Sequence, residues 1–192
     1  VGKVGTDLHT TTFDPQVAHQ LVQIAETYGS FIKGHYTDYV ENPADYPQSG
    51  MGGANVGPEF TEEEYNALLR CENIENHLDK NGSIAIKSNL INSLEQAVYQ
   101  SRRWEKWLLE EEKGVDFFSL TPERRTWLTK TGCRYIWSSP EVVKARFRLY
   151  QNLKYNGYQA ANIVTSTIEK AMDKYFHSFQ LIDFNQKILT LL

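Results

Sequence analysis

TPERRTWLTKTGCRYIWSSPEVVKARFRLYQNLKYNG, residues 121 to 157, carries two helix starts and one helix stop. Thr121-Pro122-Glu123 and Ser139-Pro140-Glu141 each offer a hydroxyl N-cap, then a proline at the first helical position, where its missing N–H is not needed, then an acid facing the positive end of the helix dipole. Asn156-Gly157 supplies residues that tolerate the left-handed C-cap and closes the second helix.

Working outward, the same grammar repeats. On the C-terminal side, Ala161, Val164, Ile168 and Met172 recur at helical spacing from Tyr158 to about Phe176, and Leu181, Phe184, Ile188, Leu191 and Leu192 do so in the tail. On the N-terminal side, Leu90, Leu94, Ala97, Ser101, Trp104 and Leu108 run from Ser83 to Lys113 without a breaker until Gly114, which predicts the longest helix. Thr61 with Glu62, Glu63 and Glu64 forms a capping box before Leu68, Cys71, Ile74 and Leu78, and Asn81-Gly82 ends that helix. Asp14-Pro15 starts the first helix, whose stripe of Val17, Leu21, Ile24, Tyr28, Ile32 and Tyr39 predicts a buried face reaching about Val40.

Between these helices, residues 42 to 60 hold Pro43, Pro47 and Pro58 with a run of glycines and read as one long loop. Residues 1 to 13 lack a helical period and read as an extended arm. No strand-like alternation exceeds four residues and no internal repeat is visible. The expectation is therefore an all-α, irregular bundle of five to seven helices: an arm over 1–13, then a single helical domain over 14–192 carrying the Gly/Pro-rich loop.

Composition narrows the class. Apolar residues are 41% and charged residues 23% of the 192, which excludes a disordered chain, and no apolar run approaches the ~18 residues of a spanning helix. No membrane partner is expected. The chain opens on Val1, which reads as a processed product or a fragment. Cys71 and Cys133 fit neither a metal knuckle nor a redox pair and are expected to be reduced and buried, as in an intracellular protein. The net charge of −4 hides a split: residues 1–100 carry −9 and residues 101–192 carry +5. Such asymmetry predicts an anionic partner or acidic-to-basic pairing within or between subunits.

The basic half concentrates in residues 124–155, with a net charge of +7. Arg124, Arg125, Lys130, Arg134, Lys144, Arg146, Arg148 and Lys154 alternate with Trp127, Tyr135, Trp137, Tyr150 and Tyr155. Cations neutralise phosphates while rings stack on bases, so the tract is a candidate surface for RNA or single-stranded DNA. The competing account pairs these cations with the acidic half. Trp104, Trp107, Trp127 and Trp137, with Ile188, Leu191 and Leu192 in the tail, are candidate interface residues if they do not simply fill a core.

Other motifs point nowhere strong. A helix-turn-helix over 149–175 fails because no turn precedes its second helix. The Gly50–Gly57 loop lacks the Lys-Ser/Thr ending of a phosphate-binding loop and follows no hydrophobic strand, so it reads as a surface or contact loop. Glu72, Glu75, His77 and Asp79 are wrongly spaced for a metal, since His77 points away from the two glutamates. No nucleophile has a partnering base, so no catalytic residue, metal or cofactor is assigned. The functional expectation is a non-enzymatic, self-associating structural or assembly protein, such as a viral or phage component, either a homo-oligomer or a subunit of a larger assembly. Its location would be intracellular or the virion. The alternative is a nucleic-acid-binding protein using the 124–155 tract.

Overall fold

The structure, a computed structural model, describes residues 13–190. It is all-α: eight α-helices, six of them eleven residues or longer, with almost no strand among the described residues. The helices are α1 (Pro15–Thr27), α2 (Asp45–Gln48), α3 (Pro58–Lys80), α4 (Leu90–Ser101), α5 (Pro122–Gly132), α6 (Pro140–Tyr155), α7 (Ala160–Ser178) and α8 (Phe184–Leu189). Two short strands, β1 (Lys33–Gly34) and β2 (Gly53–Ala54), pair in parallel, Lys33 opposite Gly53 and Gly34 opposite Ala54. The arm expected over residues 1–13 lies, apart from Phe13, outside the described residues, as do Leu191 and Leu192.

The described residues form two compact units. One comprises those up to Phe60 together with those from Glu169, and the other is Thr61–Ile168. In the second unit, Leu68 and Cys71 of α3, Leu90, Leu94 and Val98 of α4, Leu128 of α5, and Val142, Leu149 and Leu153 of α6 are all fully buried. Each buried leucine or valine contributes roughly 1.5–3 kcal/mol, so this cluster dominates the unit's stability. Gly132 ends α5 where a side chain has no room: a Cβ there would lie 2.7 Å from Val98 Cγ1. Cys71 and Cys133 are free and buried, and burial pushes the Cys71 thiol up to about 11, which keeps it protonated and inert.

The predicted helix starts at Thr121 and Ser139 hold, since α5 and α6 begin at the following prolines. Elsewhere long-range contacts override the local reading. The helix expected over 83–113 is confined to α4. The Glu75 carboxylate, fully buried on α3, accepts from the Ser88 N–H at 3.0 Å, the Ser88 hydroxyl at 2.6 Å and Asn152 Nδ2 at 2.6 Å, holding residue 88 in a non-helical loop. Glu72 Oε1 then accepts from the Ile91 N–H at 3.1 Å, capping α4 from another helix. Arg102, at φ 54°, stops α4 after Ser101, and short 3₁₀ turns replace the rest.

The first unit departs further. The helix expected to reach Val40 ends at Thr27, with Gly29 at φ 62° just beyond. The large stripe of Val17, Leu21, Ile24 and Tyr28 is exposed, and α1 instead buries the small face of Ala18, Val22 and Ala25. Both faces have helical spacing, so periodicity could not choose between them. The small one wins because the backbone comes close: a Cβ on Gly50 would stand 3.1 Å from Val22 Cγ1. The loop expected over 42–60 contains α2 and β2, and α3 starts within it at Pro58. Tyr46 of α2 is buried and stacks on Phe13 with ring centres 4.0 Å apart.

Candidate functional site

In the first unit, two chain segments run side by side. The Gly52 N–H donates to the Ile32 carbonyl at 2.9 Å, Asn55 N–H to Gly34 at 2.9 Å, and Thr37 N–H to Asn55 at 3.0 Å. Gly34 is required where it stands, because a Cβ would fall 2.5 Å from Tyr46 Cε1. The first segment then takes two left-handed steps on non-glycine residues, Tyr36 and Tyr39, both at φ 59°. Each such step costs of order 1 kcal/mol, and strain of this kind persists only where surrounding contacts over-determine it. Here it drives Thr37 and Asp38 inward, to 0% and 5% exposure.

Asp38 Oδ1 accepts from the Gly57 and Glu59 N–H groups, both at 2.8 Å. It therefore caps α3 from twenty residues away, placing a carboxylate at the positive end of the longest helix. This is why α3 begins at Pro58 rather than after the Thr61 capping box that the sequence suggests. Glu59, 8% exposed, accepts from the Tyr39 N–H at 2.6 Å through Oε2. The Tyr175 hydroxyl of α7 donates to the same oxygen, and Lys174 Nζ stands 3.5 Å from Oε1. Tyr175 also takes the Tyr39 N–H at 3.2 Å and lies 3.2 Å from the Thr37 carbonyl oxygen.

Two buried carboxylates and one phenol thus share a centre whose charges are matched by a helix terminus and one lysine. Burial first, and then the Glu59 carboxylate, raise the Tyr175 phenol far above its ordinary value. The phenol therefore stays protonated and remains a donor to Glu59. Burial likewise pushes the Tyr46 phenol up. The neighbouring buried Thr37 acts the other way and is outweighed.

Asp38, Glu59 and Tyr175 escaped the sequence reading because nothing local links positions 38, 59 and 175. The available signal was the Gly50–Gly57 loop, set aside for want of a preceding strand. The structure places β2 inside that loop rather than before it, and the loop leads into α3, where Asp38 occupies the Gly57 and Glu59 amides.

The residues selected from sequence are placed differently. Four of the eight tract cations are ion-paired: Arg124 with Glu112 at 2.8 Å, Arg125 with Glu95 at 3.0 Å, Lys130 with Glu62 at 2.8 Å and Arg146 with Glu64 at 3.5 Å. Three of these acids lie in the acidic half, as the pairing account requires. Arg134, Lys144 and Lys154 are exposed and Arg148 is half-buried. Trp104 and Trp107 are buried, Trp127 and Trp137 pack against the same cluster, and Ile188 is exposed. Glu72 and Glu75 serve the hydrogen bonds described above. Among the described residues no group of three or more His, Cys, Asp or Glu side chains is placed to hold a metal ion, and no helix is long and apolar enough to cross a membrane.

A family model described as D-tagatose-1,6-bisphosphate aldolase subunit GatZ/KbaZ-like matches residues 4–185. The chain belongs to the GatZ/KbaZ-like family. No curated protein and no solved structure matches it. Membership corrects the functional expectation: a GatZ/KbaZ-like chain belongs with subunits of a metabolic aldolase, which overturns both the non-enzymatic viral or phage assembly protein and the nucleic-acid-binding alternative. The virion location loses its support with them. The physical lesson lies in the cations. A basic, aromatic tract is a nucleic-acid signal only where its charges are free, and in this GatZ/KbaZ-like chain half of them neutralise carboxylates. Being a subunit of a larger assembly is consistent with the family.

Proposed function

We propose that the chain is a subunit of a sugar-bisphosphate aldolase and that the Asp38–Glu59–Tyr175 centre is where it supports that activity. The family match over residues 4–185 carries the reading. Retro-aldol cleavage of a 2-ketohexose 1,6-bisphosphate breaks the C3–C4 bond, taking a proton from the C4 hydroxyl and returning one to C3, and yields two triose phosphates. Such chemistry needs carboxylates and hydroxyls held at fixed protonation. The Tyr175 hydroxyl, held protonated and hydrogen-bonded to Glu59, supports the proposal as part of a centre that positions neighbouring groups.

The test is triose phosphate release from D-tagatose 1,6-bisphosphate by the aldolase assembled with this chain, with its Tyr175→Phe variant, or without it. The expected result is that omission lowers the rate or the thermal half-life of the assembly at least tenfold, and that Tyr175→Phe lowers kcat with KM changed less than twofold. An assembly equally active and equally long-lived without the chain would overturn the proposal.

A further inference from the structure

Three cations gather around one phenol in the Thr61–Ile168 unit. The Arg103 guanidinium lies 4.7 Å, the Lys106 ammonium 4.6 Å and the Arg134 guanidinium 4.8 Å from the centre of the Tyr135 ring, and Lys106 Nζ donates to the Tyr135 hydroxyl at 3.2 Å. The Trp107 ring adds a second platform, 4.4 Å from Lys106 and 5.9 Å from Arg134. Tyr135 and all three cations are exposed.

Their neighbours behave otherwise. Arg102, Lys113, Arg124, Arg125 and Lys130 each have a carboxylate, whereas Arg103, Lys106 and Arg134 have no carboxylate partner among the described residues. Three like charges around one ring lie within about a Debye length (~10 Å at 0.1 M salt) of one another, so salt screens their repulsion only in part. Exposed cation–π contacts return only about 0.5–1 kcal/mol each. The field shows on the phenol itself. Burial would raise Tyr135, yet the Lys106 hydrogen bond and the Arg134 and Lys106 charges outweigh it and bring the phenol below its ordinary value.

We propose that Arg103, Lys106 and Arg134, gathered around Tyr135, form an exposed binding site for a phosphate monoester dianion. Such a group is compact, carries about two charges and presents three terminal oxygens, so it meets all three cations from one position, with the two guanidinium forks suited to paired oxygens. A carboxylate offers one charge and two oxygens. Side chains on one face of an acidic peptide repeat every ~6.5–7 Å in an extended strand, which places only one acid over the ring. The site rests on this charge geometry alone, whether or not the chain serves an aldolase.

The experiment is a titration of the isotope-labelled full chain with inorganic phosphate and with glucose 6-phosphate at constant ionic strength, following the arginine Nε–H and tryptophan indole resonances. Saturable shifts at Arg103, Arg134 and Trp107 are expected, with a millimolar midpoint. Arg134→Gln and Lys106→Gln should each raise the midpoint at least fivefold. Arg102→Gln, which removes a cation already paired with Glu105, should leave it within twofold. Shifts that rise linearly and match those of chloride would overturn the site, as would unchanged midpoints in the Arg134 and Lys106 variants. Tighter binding of a hexaglutamate peptide than of phosphate would overturn the ligand class.

Discussion

Tyr175→Phe isolates one hydroxyl at the centre of the first unit. The ring remains, with its edge-on contact to Phe60 and tilted contact to Phe179, both at 5.8 Å between centres, so apolar burial is unchanged. What disappears is the donor to Glu59 and one acceptor of the Tyr39 N–H. A hydrogen bond to a charged group is worth ~1.5–3 kcal/mol net. Glu59 keeps the Tyr39 N–H and Lys174, so the expected loss is about 2 kcal/mol. All four tryptophans lie between residues 104 and 137 and report on the other unit. The suitable assay is therefore hydrogen exchange at the amides of Tyr39, Gly57 and Glu59, where about 2 kcal/mol corresponds to roughly 30-fold faster exchange. The phenol also sets a pH signature. The folded chain holds its proton more tightly than the unfolded chain, so its contribution is complete below the ordinary tyrosine value of 10.0 and declines as pH rises from there toward the higher folded value. The variant lacks that part of the alkaline loss. Exchange less than twofold faster, with an alkaline profile identical to the parent chain, would refute the reasoning that this hydroxyl ties α7 to the strained 36–39 segment.

Other perturbations follow from the same geometry. Glu75→Ala leaves the Ser88 N–H, the Ser88 hydroxyl and Asn152 Nδ2 without their carboxylate. Urea unfolding followed by tryptophan fluorescence should show a loss of about 3 kcal/mol, and a change below 1 kcal/mol would contradict the assigned role. Gly132→Ala forces a Cβ to 2.7 Å from Val98 Cγ1 and should cost ~1–3 kcal/mol by overpacking, with Val98→Ala in the same chain recovering part of it; equal midpoints for the two variants would show the contact to be slack. On α1, Leu21→Lys should change stability by no more than about 0.5 kcal/mol, while Val22→Lys, on the face against Gly50, should cost upward of ~2 kcal/mol. Circular dichroism melts in which the two rank the other way round would restore the face expected from the sequence.

Helix identity was legible wherever the signal was local. The Pro-led starts of α5 and α6, the stop at Asn156-Gly157 and the all-α class follow from caps, prolines and the 3.6-residue period, which act within one turn of chain. Three decisions belonged to tertiary structure. Which face of α1 is buried was settled by the approach of Gly50, since Val17-Leu21-Ile24 and Ala18-Val22-Ala25 are equally periodic. Where α3 and α4 begin was settled by Asp38, Glu72 and Glu75, carboxylates that cap or hold backbone amides thirteen to twenty-one residues away. Whether the basic tract is free or neutralised was settled by ion pairs such as Lys130 with Glu62, sixty-eight positions apart. The candidate site belongs to the same class, because the Tyr175 hydroxyl reaches Glu59 across 116 positions. Propensity and capping are properties of neighbouring residues and can be read along the chain. Charge neutralisation and the burial of polar groups depend on which distant side chains the fold brings within hydrogen-bond distance, and the chain order does not encode that locally.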